Sequence, residues 1–262
     1  VGRRILLKLR FLTTMRVPAA LPPTRYDLKA GGYWNTPWLV LGLVLLPATF
    51  LMAIDKQAMV VMAPRIQSSL GCSLGQISNV ISAYSFTYAL CQLPAGWVCR
   101  KLGAARTYAL ACLFWSFALL STAFASTIAE LILCRALLGI GQAPDWTAAL
   151  ITVQQRFRPI HRSSIIAVLL AALSLGAVIG APLSVFLMTS LSWRLCFAIY
   201  GVAGILLFGS LLAYALKAKE PSLPQNPTGP LEPFALSRLY TIGGAYFCLM
   251  GVEGFFLALF PL

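Results

Sequence analysis

The chain has 262 residues, 59% of them hydrophobic and only 10% charged. A soluble domain carries about 25% charged residues, so the composition argues against a cytosolic enzyme, and its hydrophobicity argues against disorder. The net charge of +13 would suggest nucleic acid in a soluble protein, but in a membrane protein it marks cytoplasmic loops. With roughly 20 apolar residues needed per crossing, this length holds about seven spans.

Residues 1–37 are basic and irregular and read as a cytoplasmic tail. RRILLKLR is too interrupted for the apolar stretch of a signal peptide, and the stretch before Met15 is compatible with a misplaced start. Apolar segments then follow near 38–63, 76–98, 105–125, 128–154, 163–190, 193–216 and 236–262. Six of them (38–216) form one unit. Residues 217–235, KAKEPSLPQNPTGPLEPFA, read as a proline-rich cytoplasmic linker to the seventh. The expected fold class is all-α: a polytopic membrane protein with a six-helix bundle plus one further helix.

The basic residues alternate by loop. The tail carries Arg3, Arg4, Lys8, Arg10, Arg16, Arg25 and Lys29. Later loops on the same side add Arg100, Lys101 and Arg106, then Arg156, Arg158 and Arg162, then Lys217, Lys219 and Arg238. The opposite loops offer only Arg65 and Arg194. This asymmetry places the N-terminus and the linker in the cytoplasm and answers the nucleic-acid reading. The seven cysteines form no CxxC pair and read as small buried hydrophobes; a Cys72–Cys196 disulfide has no support in the spacing.

Asp55, Lys56, Arg135, Asp145 and Glu253 fall inside or near spans. An Asp, Lys or Arg at a helix centre costs roughly 2.5–3.5 kcal/mol, so such groups turn inward to a partner or a watery cavity. A structural ion pair is the plainer explanation. Adjacent residues on a helix point about 100° apart, however, so Asp55 and Lys56 each need something else across the bundle. In span four, Arg135 and Gln142 lie two turns apart on one face, with Gly139 and Gly141 allowing close approach. In span two, Ser78, Ser82, Ser85, Tyr88 and Gln92 make a polar stripe. Polar positions on three helices suggest a lined cavity. Lys56 and Arg135 suit an anion, and a protonatable Asp55 could couple that anion to protons.

AIDKQAMVVMAP, SAYSFTYALCQLPAGWVCRKLGAAR, CRALLGIGQAP and SWRLCFAIYGVAGILL together resemble the first half of a major facilitator superfamily transporter. FFLALFPL (255–262) is similar to the opening of its seventh span. Within that superfamily the likeness is to the anion:cation symporter family, which includes sugar-acid and hexuronate transporters. The resemblance implies alternating access, an organic anion such as a sugar acid as substrate, and proton or sodium as coupling ion. By position it implies proton coupling at Asp55 and substrate contacts at Lys56, Tyr88 and Arg135; the polar stripe adds Gln92, and the span-four face adds Gln142. It also implies a cytoplasmic loop motif running from Gly96 to Arg106, with Arg100, Lys101 and, at the turn, Gly103. It implies a multi-pass protein of the cytoplasmic membrane, monomeric if full length.

Three positions depart from the family pattern. Lys56 replaces an arginine, Gln142 stands where bacterial members carry a second coupling acid, and Arg100 stands where the loop motif carries an Asp. An amide cannot titrate, so weakened proton coupling is expected. Gly176 and Gly180 read as a packing face beside a kink at Pro182. Trp97, Trp115, Trp193 and Tyr200 read as interfacial anchors, His161 as a solvated loop residue, and Asp145 either as a cavity residue or as a partner of the other half. No Walker A, HExxH or nucleophile-elbow motif is present, so no enzyme activity, metal or cofactor is expected. The competing readings are a drug or cation exporter, for which Lys56 and Arg135 carry the wrong sign unless they pair with Asp145 and Glu253, and a truncated fragment that does not transport.

Overall fold

The computed structural model describes residues 37–217; the expected tail, most of the linker and the seventh span lie outside them. Among the described residues there are six long helices and no strand. They are α1 (Pro37–Leu70), α2 (Leu74–Leu102), α3 (Ala104–Thr122), α4 (Ile128–Arg156), α5 (Pro159–Ser190) and α6 (Trp193–Lys217). Helix α1 includes one π-helical stretch, Leu41–Leu45. The first six predicted spans appear in order, with ends shifted by up to seven residues.

Local sequence explains where the helices stop and start. Gly71 ends α1 at φ +62°, a left-handed conformation that costs glycine nothing. Capping boxes open two helices: Ser73 with Gln76 before α2, and Thr127 with Glu130 before α4. Pro159 begins α5, where its missing N–H is no loss. Gly103, at φ +89°, is the single residue between α2 and α3. Residues 96–102, expected as loop, are therefore the last turns of α2.

By length and composition, α1, α3, α5 and α6 are apolar enough to cross a membrane. Helices α2 and α4, at 29 residues each, are longer than α3 and α6 but carry more polar and charged residues. Those two pack on each other, α3 sits between α4 and α6, and α1 lies along α5. Close approach explains the glycines on these seams. A Cβ at Gly180 would lie 2.9 Å from Ile54 Cα, and one at Gly139 would lie 2.9 Å from Tyr88 N. Exposed apolar side chains such as Phe86, Leu93, Val178 and Leu206 form the outer surface, as suits a polytopic membrane protein surrounded by lipid.

The aromatic expectation needs correction. Trp97 is exposed and lies beneath the Lys101 ammonium, 5.0 Å from its ring centroid, as an anchor would. Trp115, Trp193 and Tyr200 are instead buried. Trp115 sits in the middle of α3 facing α4, and Tyr200 shares a 2.9 Å hydrogen bond with Ser184 of α5. Cys72 and Cys196 are free thiols.

Candidate functional site

Asp55, midway along α1, is fully buried and projects towards α4. Its Oδ1 accepts a hydrogen bond from Arg135 Nη1 and its Oδ2 one from Gln142 Nε2, both at 3.3 Å. The two-turn spacing of Arg135 and Gln142 is what lets one carboxylate reach both. Gln142 completes the chain outward, its Oε1 accepting from Tyr84 OH of α2 at 2.8 Å. Three helices are thus tied by one continuous polar network, and in a low dielectric such a network is costly unless its members are satisfied.

Arg135 is not fully satisfied. It is 2% exposed, yet among the described residues its Nε and Nη2 have no hydrogen-bond partner. The guanidinium carbon lies 4.6 Å from the centroid of the Phe197 ring of α6, a cation–π contact. Nη1 is committed to Asp55, so the unused Nε and Nη2 form a single edge of the fork. That edge has the spacing to receive a carboxylate with two parallel bonds.

Lys56 follows the other course that its 100° offset allows. Its Nζ lies 4.8 Å from the Tyr88 ring centroid and 5.6 Å from that of Tyr84, and the two rings are stacked. Asp145, one turn beyond Gln142, is buried and accepts from Trp115 Nε1 at 2.8 Å, while its Oδ1 has no partner among the described residues. This hydrogen-bond partner lies within these six helices, on α3. Four charged groups, two of each sign, therefore gather in this part of the bundle.

The polar stripe of α2 is brought together only in part. Tyr88 reaches Lys56, and Gln92 Oε1 accepts from Thr147 Oγ1 at 3.4 Å. Ser78, Ser82 and Ser85 are exposed, and the hydroxyls of Ser78 and Ser85 bond to their own helix. A spacing of three or four drifts around a helix of 3.6 residues per turn, so only one edge of the stripe meets α1 and α4. The loop-motif residues are remote from Asp55: Arg100, Lys101 and Arg106 are exposed at the Gly103 turn, and a Cβ on Gly96 would meet nothing. His161 is exposed, in the first turn of α5.

Sequence reasoning missed Tyr84, Trp115 and Phe197. Tyr84 lies four residues before Tyr88, a spacing that shares a helix face, and could have been found that way. Trp115 and Phe197 act through helices 30 and 62 residues from their partners, and local spacing carries no trace of that.

The family model described as Major Facilitator Superfamily matches residues 45–262. A D-galactonate transporter of Escherichia coli O6:H1 is 31% identical over 153 residues, covering 58% of this chain and 36% of the relative. A galacturonate transporter of Dickeya chrysanthemi is 30% identical over 168 residues, covering 64% and 48%. A hexuronate transporter of Escherichia coli K12 is 30% identical over 184 residues, covering 70% and 42%. The chain thus spans half or less of the length of these curated relatives. Among solved structures, a bacterial homologue of the human lysosomal transporter Spinster, inward-facing and unoccupied, matches with a TM-score of 0.61 at 21% identity. That match covers 78% of this chain and 47% of the homologue. A peptide transporter of the POT type in complex with alafosfalin matches with a TM-score of 0.62 at 17% identity, covering 81% and 46%.

Proposed function

The chain belongs to the Major Facilitator Superfamily, and from that premise we propose that it serves secondary transport of small organic anions, carboxylates such as sugar acids, by alternating access. Residues 38–216 act as the six-span N-terminal unit, 217–235 as a cytoplasmic linker and 236–262 as a seventh span. The protein lies in the cytoplasmic membrane with its N-terminus in the cytoplasm, the orientation that the loop charges favour. Relatives named for galactonate, galacturonate and hexuronate transport support this substrate class.

The observation that carries the reading is the open edge of Arg135. A buried guanidinium with two donors unspent pays a desolvation cost of about 1–3 kcal/mol per lost bond, and a bound carboxylate would recover it. Lys56 adds a second positive group beside Tyr88. Asp55 is the control element. While ionised, it neutralises Arg135; on taking a proton it gives up that charge and leaves the arginine to the substrate anion. Proton and anion then enter together, as symport requires. Gln142 donates to Asp55 but cannot titrate, so the coupling is weaker than two acids would provide.

Uptake of D-galacturonate by cells producing the protein tests this. Arg135→Lys keeps the charge but loses the planar edge, and uptake should fall at least tenfold. Asp55→Asn should flatten the dependence on the pH gradient, and Gln142→Glu should steepen it. Undiminished uptake by Arg135→Lys, or competition by lipophilic cations in place of sugar acids, would overturn the reading.

A further inference from the structure

A polar concavity lies at the end of the bundle opposite the Gly103 turn. It encloses about 350 Å³ between the last turns of α1 and the α5–α6 turn, lined by Arg65, Ser68, Ser69, Thr189, Ser192 and Trp193, with two apolar residues completing it. Arg65 and Arg194 are the two basic residues that the sequence assigns to this end; Arg65 lines the concavity, and Arg194 stands behind it, bonded to the lining residue Ser69. Arg194 stacks on Trp193, 4.1 Å from the ring centroid, and donates Nη2 to Ala125 O at 3.0 Å and Nη1 to Ser69 Oγ at 3.4 Å.

The hydroxyls sort into two kinds. Ser68 and Thr189 spend their hydrogens on backbone carbonyls of their own helices. Ser69 and Ser192 are acceptors, from Arg194 and from Leu195 N respectively. A hydroxyl that accepts still holds a hydrogen to give, so these two are prepared as donors. Ser192 also precedes the first residue of α6, whose helix start adds partial positive charge. The described carboxylate at this end, Glu130, is occupied by the backbone N–H groups of Ser126 and Thr127 at 2.7 and 3.2 Å, and no acid lines the pocket. The walls offer the guanidinium of Arg65 and two hydroxyl donors, with the charge of Arg194 behind Ser69.

We propose that this pocket is a second oxyanion site, holding a carboxylate or a phosphate between Arg65, Ser69 and Ser192. The two sources of that chemistry are the carboxylate of a free organic anion and the phosphate of a lipid headgroup. The site stands on its own residues and goes beyond the transport reading, which rests on Arg135.

Modification of Arg65 by phenylglyoxal, followed by mass spectrometry on the full chain in dodecyl maltoside, tests it. D-galacturonate, its uncharged methyl ester and phosphatidylglycerol serve as separate additions, with exposed Arg158 at the opposite end as internal reference. D-galacturonate or phosphatidylglycerol should slow modification of Arg65 at least fivefold while Arg158 is unchanged, and the methyl ester should give no protection. Protection by D-galacturonate assigns the site to a free anion; protection by phosphatidylglycerol alone assigns it to lipid. Ser69→Ala with Ser192→Ala should remove the effect, whereas Arg135→Lys, which keeps the buried charge but should lower uptake, should leave the protection in place, so failure here and failure of the transport reading remain separable. Equal protection of Arg158, or none at Arg65 by either oxyanion, overturns the proposal.

Discussion

The α1–α5 seam and the α2–α4 seam use the same device and differ in what they do with it. On both, glycines let two helices approach until backbone meets backbone: Gly176 and Gly180 of α5 against α1, and Gly139 of α4 against α2. The first seam places those glycines against Phe50, Ala53 and Ile54. The second is laced with polar bonds, Thr87 Oγ1 to Ala136 O at 2.9 Å and Tyr84 OH to Gln142 at 2.8 Å. Lipid tails are as apolar as leucine, so an apolar seam is held by close packing alone, whereas a polar seam also orients functional groups. Asp55 joins the two, since it stands on the helix of the first seam and bonds to the helix of the second.

The largest expected effect breaks the apolar seam. Gly180→Leu would push a side chain into the Ile54 backbone, which cannot yield as a side-chain tip can. A loss of about 3 kcal/mol or more is expected, read as failure to recover monodisperse protein in detergent. The next breaks the bridge between seams. Arg135→Ala strands a buried carboxylate and should cost about 3–5 kcal/mol, while Asp55→Leu combined with Arg135→Met should restore most of it in a thermal melt. Equal melting points for the single and the double variant would show that the pair is not the source of the loss. The smallest tunes the polar seam: Tyr84→Phe removes one interhelical bond, worth about 0.6 kcal/mol and at most about 1.7 in membrane proteins. It should barely move the melting point but should alter the pH dependence of uptake, since Gln142 is then free to turn away from Asp55.

Much of the site was legible because helix geometry is local. The offset between Asp55 and Lys56 required two different partners, and the structure supplies Arg135 for one and the Tyr84–Tyr88 pair for the other. The seven-residue separation of Arg135 and Gln142 announced a shared face, and both bond the same carboxylate. The stripe of α2 was legible only as a periodicity, and periodicity does not say which of its edges is buried. The helical continuation through Leu102 was hidden by Gly96 and the Arg100–Lys101 pair, which read as loop although a basic last turn is well placed against a helix dipole.

Composition, hydrophobic period and the alternation of loop charge determined by themselves that this is an all-α membrane protein with six consecutive helices. Each of these properties is set by neighbours a few residues apart. Only the tertiary structure decided that Asp145 answers to Trp115, that Arg135 lies against Phe197 with Nε and Nη2 unbonded among the described residues, and that Arg65 and Ser69, the partner of Arg194, line one pocket. Those pairings depend on how helices distant in sequence cross, and crossing is fixed by the summed packing of whole seams.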